Sequence, residues 1–313
     1  MTIAGSNAEP MTNPRAERVK DVARLASRIG RNRSGLFLAE GPQSVREALR
    51  LHRERGAAGG EPVVEQLYAT AEALERNPDL AELAGDAPLR LATTEVIVAM
   101  ADTVTPQGLL AVCRIPRDTL AGVLASAPRL LAVLCRVQDP GNAGTVLRAA
   151  DAAGADAVLV TQGSVDMFNP KAVRSTAGSL FHLPVVSGLD FDETVAALRA
   201  AGIAVLAADG YGDMDLDALQ DRSASRRLVA APGPQIAAPS LAAAGPAAEP
   251  RLEEPTAWLF GNEASGLSAA ELAAADHRVA VPLYGVAESL NVGTAATVCL
   301  YASARSQRRG AGA

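Results

Sequence analysis

Six short, predominantly apolar runs, at 130–135, 157–161, 183–186, 203–208, 257–260 and 279–283, alternate with segments of helical period in the second part of the chain. A strand with one wet face alternates polar and apolar residues, whereas a strand apolar throughout is covered on both faces. Runs of this kind separated by helices therefore specify a parallel sheet with helices on each side. The first part alternates as well: a basic helix over 15–29, strand 36–39, helix 42–55, strand 63–70, helix 71–84, strand 89–93, a short helix 94–101 and strand 109–114. The expected fold class is α/β, as a smaller unit over 15–116 and a larger one over 130–306, joined by a link at 117–129. Residues 1–14 and 307–313 read as tails. The stretch 231–250, APGPQIAAPSLAAAGPAAEP, reads as part of a flexible insertion at about 221–254, because Pro, Ala and Gly with a single charge offer nothing to pack.

Composition excludes several function classes. Cys113, Cys135 and Cys299 are far apart and each lies in an apolar run, which fits reduced, buried thiols in a cytoplasmic protein and not a disulfide framework. With three histidines and no cysteine pair at ligand spacing, no metal site is expected. No apolar window reaches 18 residues, so no membrane association is expected either. The net charge of −6 argues against nucleic acid until its distribution is considered. Residues 15–55 carry eleven basic and five acidic side chains, a local balance of +6. The basic charge is almost wholly arginine, which grips phosphate bidentately; Arg and Ala richness equally reflects biased genome composition. Arg24, Arg28 and Arg31 are the candidates for RNA contact.

Three segments place polar residues where an apolar strand ends and a helix begins, which is where open α/β sheets bind ligands. The first, Gln138-Asp-Pro-Gly-Asn-Ala-Gly-Thr-Val-Leu-Arg148, offers Gly141 and Gly144 for a tight turn, Asn142 as a helix cap and Arg148 on the second turn. Its glycine spacing is not that of a dinucleotide fingerprint, and read alone it is a capped helix with a solvated arginine. The second, Phe260-Gly-Asn-Glu-Ala-Ser-Gly-Leu-Ser268, puts one carboxylate, Glu263, on a glycine-rich loop; Ser268 and Glu271 have capping-box spacing. The third, Val281-Pro-Leu-Tyr-Gly-Val-Ala-Glu-Ser-Leu-Asn-Val292, places Ser289 and Asn291 before a helix running to about Ser306.

Together the three motifs resemble the SpoU/TrmH family of S-adenosylmethionine-dependent RNA ribose 2′-O-methyltransferases. Asn142, Gly144 and Arg148 match its first motif. Gly261, Asn262, Glu263 and Gly266 match its second, and Pro282, Gly285, Ser289, Leu290, Asn291 and Val292 its third. More loosely, Phe37-Leu-Ala-Glu-Gly-Pro42 and Thr105-Pro-Gln-Gly-Leu109 resemble the family's ribosomal-protein-like substrate-binding domain. Gly293 departs from the serine usual in the family.

The resemblance implies a SPOUT domain whose C-terminal segment is threaded into a trefoil knot, which topology rules alone would reject. It implies S-adenosylmethionine as cofactor, held by backbone at Gly261, Val281 and Leu290. It also implies a homodimer, and a site in which Arg148 lies beside the target ribose among Asn142, Glu263, Ser289 and Asn291. At Gly261 the backbone is expected to approach the cofactor closely. The expected activity is methylation of a ribose 2′-hydroxyl in structured RNA, with ribosomal RNA first. Transfer-RNA or base methylation within the superfamily is one alternative and a non-catalytic RNA-binding protein the other.

Overall fold

The protein, seen here as a computed structural model, is described over residues 9–230 and 249–309. In chain order the helices are α1 (Glu17–Ala23), α2 (Arg28–Ser34), α3 (Pro42–Ala57), α4 (Ala71–Arg76), α5 (Pro78–Ala84), α6 (Thr94–Met100), α7 (Leu120–Ala125), α8 (Pro140–Ala153), α9 (Pro170–Ser175), α10 (Phe191–Ala200), α11 (Leu216–Ala230), α12 (Ala269–Ala274) and α13 (Val292–Arg309). The strands are β1 (Leu36–Glu40), β2 (Val64–Ala69), β3 (Leu89–Leu91), β4 (Leu109–Arg114), β5 (Leu130–Leu134), β6 (Ala157–Thr161), β7 (Val185–Leu189), β8 (Ala204–Ala208), β9 (Met214–Asp215), β10 (Thr256–Phe260) and β11 (His277–Ala280). They fall into two compact units. One holds the residues up to Arg117 with Pro140–Arg148 and Val165–Pro184; the other holds Asp118–Asp139, Ala149–Ser164 and the remainder from Val185.

The first unit is built on a four-stranded sheet in the order β1-β4-β2-β3, with β4 antiparallel to both β1 and β2. Two segments far along the chain complete it. Phe168 and Phe181 close over Phe37 at ring-centroid distances of 5.0 and 6.0 Å. A Cβ on Gly144 would lie 1.9 Å from Ser175 Oγ and 2.7 Å from the Ala172 carbonyl oxygen, so this glycine lets α8 and α9 touch backbone to backbone. Its role is helix packing and not the turn expected from sequence. By these long-range contacts 140–148 and 165–184 group with the first unit, although in the chain they lie within 130–306.

The second unit carries the parallel sheet that the apolar runs specify, in the order β7-β6-β5-β10-β8-β11-β9 with every pairing parallel. Strands β5, β6 and β10 are buried along their whole length. Trp258, on the central strand β10, is fully buried and donates its indole N–H to Ser303 Oγ of α13 at 2.9 Å, satisfying the one polar atom of the largest core residue.

Several local expectations are revised. The basic helix breaks at Ser27, whose Oγ accepts the Gly30 N–H and starts a new helix, and the helix at 71–84 breaks at Pro78, which has no N–H to donate. Within the expected N-terminal tail, Met11 pairs with β3 through Met11 N–H to Leu91 O and Thr93 N–H to Met11 O, both 2.9 Å; residues 1–8 lie outside the described residues. The link contains α7, capped by Thr119. The insertion is helical up to Ala230 and α13 runs to Arg309, while 231–248 and 310–313 lie outside the described residues. Arg31 is the clearest correction. Its side chain is only 2% exposed, donates to Asp166 at 2.7 and 2.9 Å and to the carbonyls of Leu25 and Ala26, and is therefore a buried strut that cannot reach RNA. Arg24 pairs with Asp21 and Glu17, and Arg28 is exposed.

The described ends of the insertion are held by ion pairs. Arg226 of α11 grips Glu253; burial raises that carboxyl's pKa, but hydrogen bonds from Arg226, from backbone and from Ser223 outweigh it and bring the pKa down to about 2, from an ordinary 4.5. A depressed carboxylate contributes stability that is full above the ordinary value and lost as pH falls toward the depressed one. Acid unfolding of the wild type between pH 4.5 and 2 should therefore be steeper than that of Glu253→Gln, with the two curves parallel at higher pH.

Candidate active site

Because all strands of the second sheet run the same way, the loops leaving their carboxyl ends gather at one edge. A cavity of about 620 Å³ lies there, bounded by 208–211 after β8, by 260–267 after β10, by Arg278, Val281 and Leu283, and by 288–292 leading into α13. Gly261, Glu263, Val281, Ser289, Leu290 and Asn291, all singled out from sequence, line it. Asn142 and Arg148 belong to the first unit and do not.

The loop 261–267 is built by its own residues. Asn262 closes it through paired backbone hydrogen bonds with Gly266, at 3.0 and 2.8 Å. Its Oδ1 accepts the N–H of Ala264 and of Ser265, and its Nδ2 donates to the Arg136 carbonyl at 3.0 Å. A Cβ on Gly261 would stand 2.3 Å from Gly266 C and 2.4 Å from Leu267 N, so the loop's own backbone requires glycine there whatever the ligand. Ser268 and Glu271 form the capping box of α12, with Glu271 Oε2 accepting the Ser268 N–H at 2.6 Å.

Glu271 does a second thing that capping-box spacing does not reveal. It is 5% exposed and binds Arg136 through two bonds, Nε to Oε1 at 2.9 Å and Nη2 to Oε2 at 2.7 Å. Burial raises the Glu271 pKa, yet hydrogen bonds from Arg136 and Ser268 prevail and hold it below the usual carboxylate range. Arg136 itself sits at φ 55°, a left-handed conformation that residues other than glycine rarely adopt, with its N–H on Thr161 Oγ1. Glu263 accepts the N–H of Asp139 at 3.1 Å and of Gln138 at 3.3 Å. Glu263, expected from the resemblance to lie near the target ribose, thus ties the loop 261–267 to the residues that precede α8.

The third motif divides in two. Asn291 is the cap of α13, its Oδ1 accepting the Gly293 N–H at 2.9 Å; glycine serves there because the bond comes from backbone. Ser289 stands on an exposed stretch with Leu283, Tyr284 and Val286. Asn142, expected to cap α8, instead lies inside its first turn, because the helix starts at Pro140. Arg148 is exposed and makes no hydrogen bond or ion pair among the described residues. Sequence reasoning missed Arg136 and Asp209. The Asp209 carboxylate binds Arg278 in the cavity wall at 2.6 Å, and a pair 69 residues apart leaves no local signal.

A parallel α/β unit whose cavity is walled by loops at the carboxyl ends of its strands belongs to the class of proteins that bind a small organic ligand there. The sequence profile of the SpoU rRNA Methylase family matches residues 129–301, and that of the MRM3-like substrate binding domain matches 16–111; the chain belongs to the SpoU rRNA methylase family. It is 34% identical over 285 residues to the 23S rRNA (guanosine(2553)-2′-O)-methyltransferase RlmP of Bacillus subtilis, covering 91% of this chain and 95% of that one. It is 31% identical to the 23S rRNA (uridine(2479)-2′-O)-methyltransferase of Streptomyces viridochromogenes, covering 92% and 89%. The crystal structure of the SpoU methyltransferase AviRb from Streptomyces viridochromogenes in complex with the cofactor AdoMet superposes with a TM-score of 0.70 at 31% identity, over 94% of this chain and 99% of that one.

Removing the charge of Glu271 while keeping its shape leaves Arg136 with weakened partners. Glu271→Gln is expected to lose about 2 kcal/mol of stability, the scale of a hydrogen bond to a charged group, read as a lowered midpoint in urea unfolding.

Proposed function

We propose that this protein transfers a methyl group from S-adenosylmethionine to a ribose 2′-hydroxyl of ribosomal RNA. The observation that carries the reading is the charge of the cavity. Its one basic lining residue, Arg278, is spent on Asp209, while Asp209, Glu263 and Glu288 line it as carboxylates. That wall suits a cationic ligand without phosphates, as a sulfonium cofactor is, and rejects a nucleoside phosphate. A volume of about 620 Å³ and the backbone-rich rim at Gly261, Val281 and Leu290 suit it equally. The order of the sheet, with β10 between β5 and β8, supports a SPOUT domain knotted by its C-terminal segment.

When bound, S-adenosylmethionine supplies an electrophilic methyl carried on sulfur. The residues must bring a hydroxyl in line with it and ease the loss of that hydroxyl's proton. A guanidinium is a permanent cation at neutral pH, so Arg148, exposed and unspent on other described groups, serves by gripping the neighbouring phosphate and stabilising the developing alkoxide. Asn142 supports it from the same helix. Glu263 and Asn291 hold the loops, and Ser289 faces the cavity. The first unit supplies RNA affinity, with Arg28 and Arg24 as contacts and Arg31 as the strut beneath them. The three cysteines are buried, which pushes their thiol pKa values up and keeps them inert in a reducing cytoplasm.

Arg148→Ala is expected to leave S-adenosylmethionine affinity by calorimetry within a few fold while slowing methylation by roughly 10² or more. Arg148→Lys, which keeps the charge and loses the planar fork, should remain substantially impaired. Gly261→Ala should do the opposite, abolishing cofactor binding by forcing the loop open. Near-normal turnover in Arg148→Ala would make the residue a solvated helix side chain and end the mechanism.

The working unit is a homodimer. Leu283, Tyr284, Val286 and Tyr211 are exposed in one chain, as are Val298 and Tyr301 on α13, and a second copy that covers them would complete the rim. Sedimentation at micromolar concentration should give twice the 32.1 kDa of one chain; a single-chain species alone refutes the dimer.

A further inference from the structure

One loop of the first unit is held more firmly than an exposed tip requires. Glu40, at the end of β1, is buried, and its carboxylate accepts the N–H of Asp102 at 3.0 Å and of Thr103 at 3.2 Å. Arg174 pairs with the same carboxylate at 3.3 Å and with Asp102 at 2.9 Å. The far end is closed as tightly, by the Gly41 N–H on Leu109 O at 3.0 Å and the Thr70 N–H on Gly108 O at 2.9 Å. A carboxylate taken out of water is costly, and what it secures here is the start of the loop at Asp102 and Thr103.

Between these anchors stand Val104, 93% exposed, with Thr105, Pro106 and Gln107. Pro106 further narrows the backbone. From Thr103 to Gln107 the loop carries no charge, yet it belongs to a unit whose residues 15–55 have a balance of +6. Phosphates are met by such arginines, which position a nucleic acid without reading it; sequence is read by neutral hydrogen-bonding groups and apolar contacts to bases. In RNA those bases are the unpaired ones, because the major groove of an A-form helix is closed to side chains. We propose that the loop 103–107 reads an unpaired base of the RNA substrate, with Val104 against the base face and Thr105 and Gln107 on its edge, and with Glu40 and Arg174 as positioning residues. The proposal rests on the RNA-methylation reading and adds where selection occurs.

The test uses the full chain, unmodified 23S ribosomal RNA made by transcription, and S-adenosylmethionine labelled in its methyl group. The double variant Val104→Ser, Gln107→Ala changes only exposed side chains. It should raise the KM for RNA about tenfold or more, with kcat, cofactor affinity and melting temperature unchanged, because base contacts of this kind are lost without touching the chemistry. An unchanged KM overturns the proposal. A defect seen with assembled ribosomal particles but not with naked RNA also overturns it, since the loop would then meet protein. If the wild type transfers no methyl to this RNA, the methylation reading fails, and filter binding still decides the loop: weaker RNA binding by the double variant upholds it and equal binding removes it.

Discussion

Strand β10 lies at the centre of an all-parallel sheet, between β5 and β8, and is buried along its whole length. A parallel sheet has a direction, so its carboxyl edge is a row of chain exits whose backbone groups must find partners in the loops that leave it. In this protein the loops leaving β5 and β10 bond to each other, and the loop leaving β8 bonds to β11. Asn262 holds the Arg136 carbonyl, Glu263 holds the N–H groups after Val137, and Arg278 holds Asp209. The cavity is the space these ties leave open.

This arrangement divides the polar residues by what they are spent on. Glu271 and Arg136 satisfy each other, and their charges are removed from any chemistry in exchange for fixed loop positions. Breaking such a half-buried pair leaves one charge without compensation, which is why it behaves as a strut. Arg31 shows the same economy in the first unit, where sequence suggested a surface contact. Arg148, like Arg28, is exposed and makes no ion pair among the described residues, and the function proposed above keeps its guanidinium for a substrate phosphate.

In the reading proposed above, affinity and selection fall to different groups. Arginines of the first unit would supply attraction that falls with salt and carries no sequence information. The loop 103–107, tied to Glu40, would meet a base in one conformation without an ordering cost.

Much of this was legible in the sequence. Apolar runs at 130–135, 157–161 and 257–260 specified the parallel sheet, since a continuous apolar strand has no other stable environment, and the capping box at Ser268 and Glu271 is local in the chain. The second and third motifs named the cavity-lining residues after β10 and β11 because loops at strand ends lie close to the residues that make them. Other features belong to the tertiary structure alone. Whether Arg31 faces solvent depends on Asp166, 135 residues away, and whether Gly144 makes a turn or a helix contact depends on Ser175. The partner of Arg136, the pairing of Asp209 with Arg278 and the assignment of 165–184 to the first unit have the same origin. Periodicity records which side of an element is buried; it does not record which distant charge or backbone it is buried against, and that choice is made only when the chain has closed.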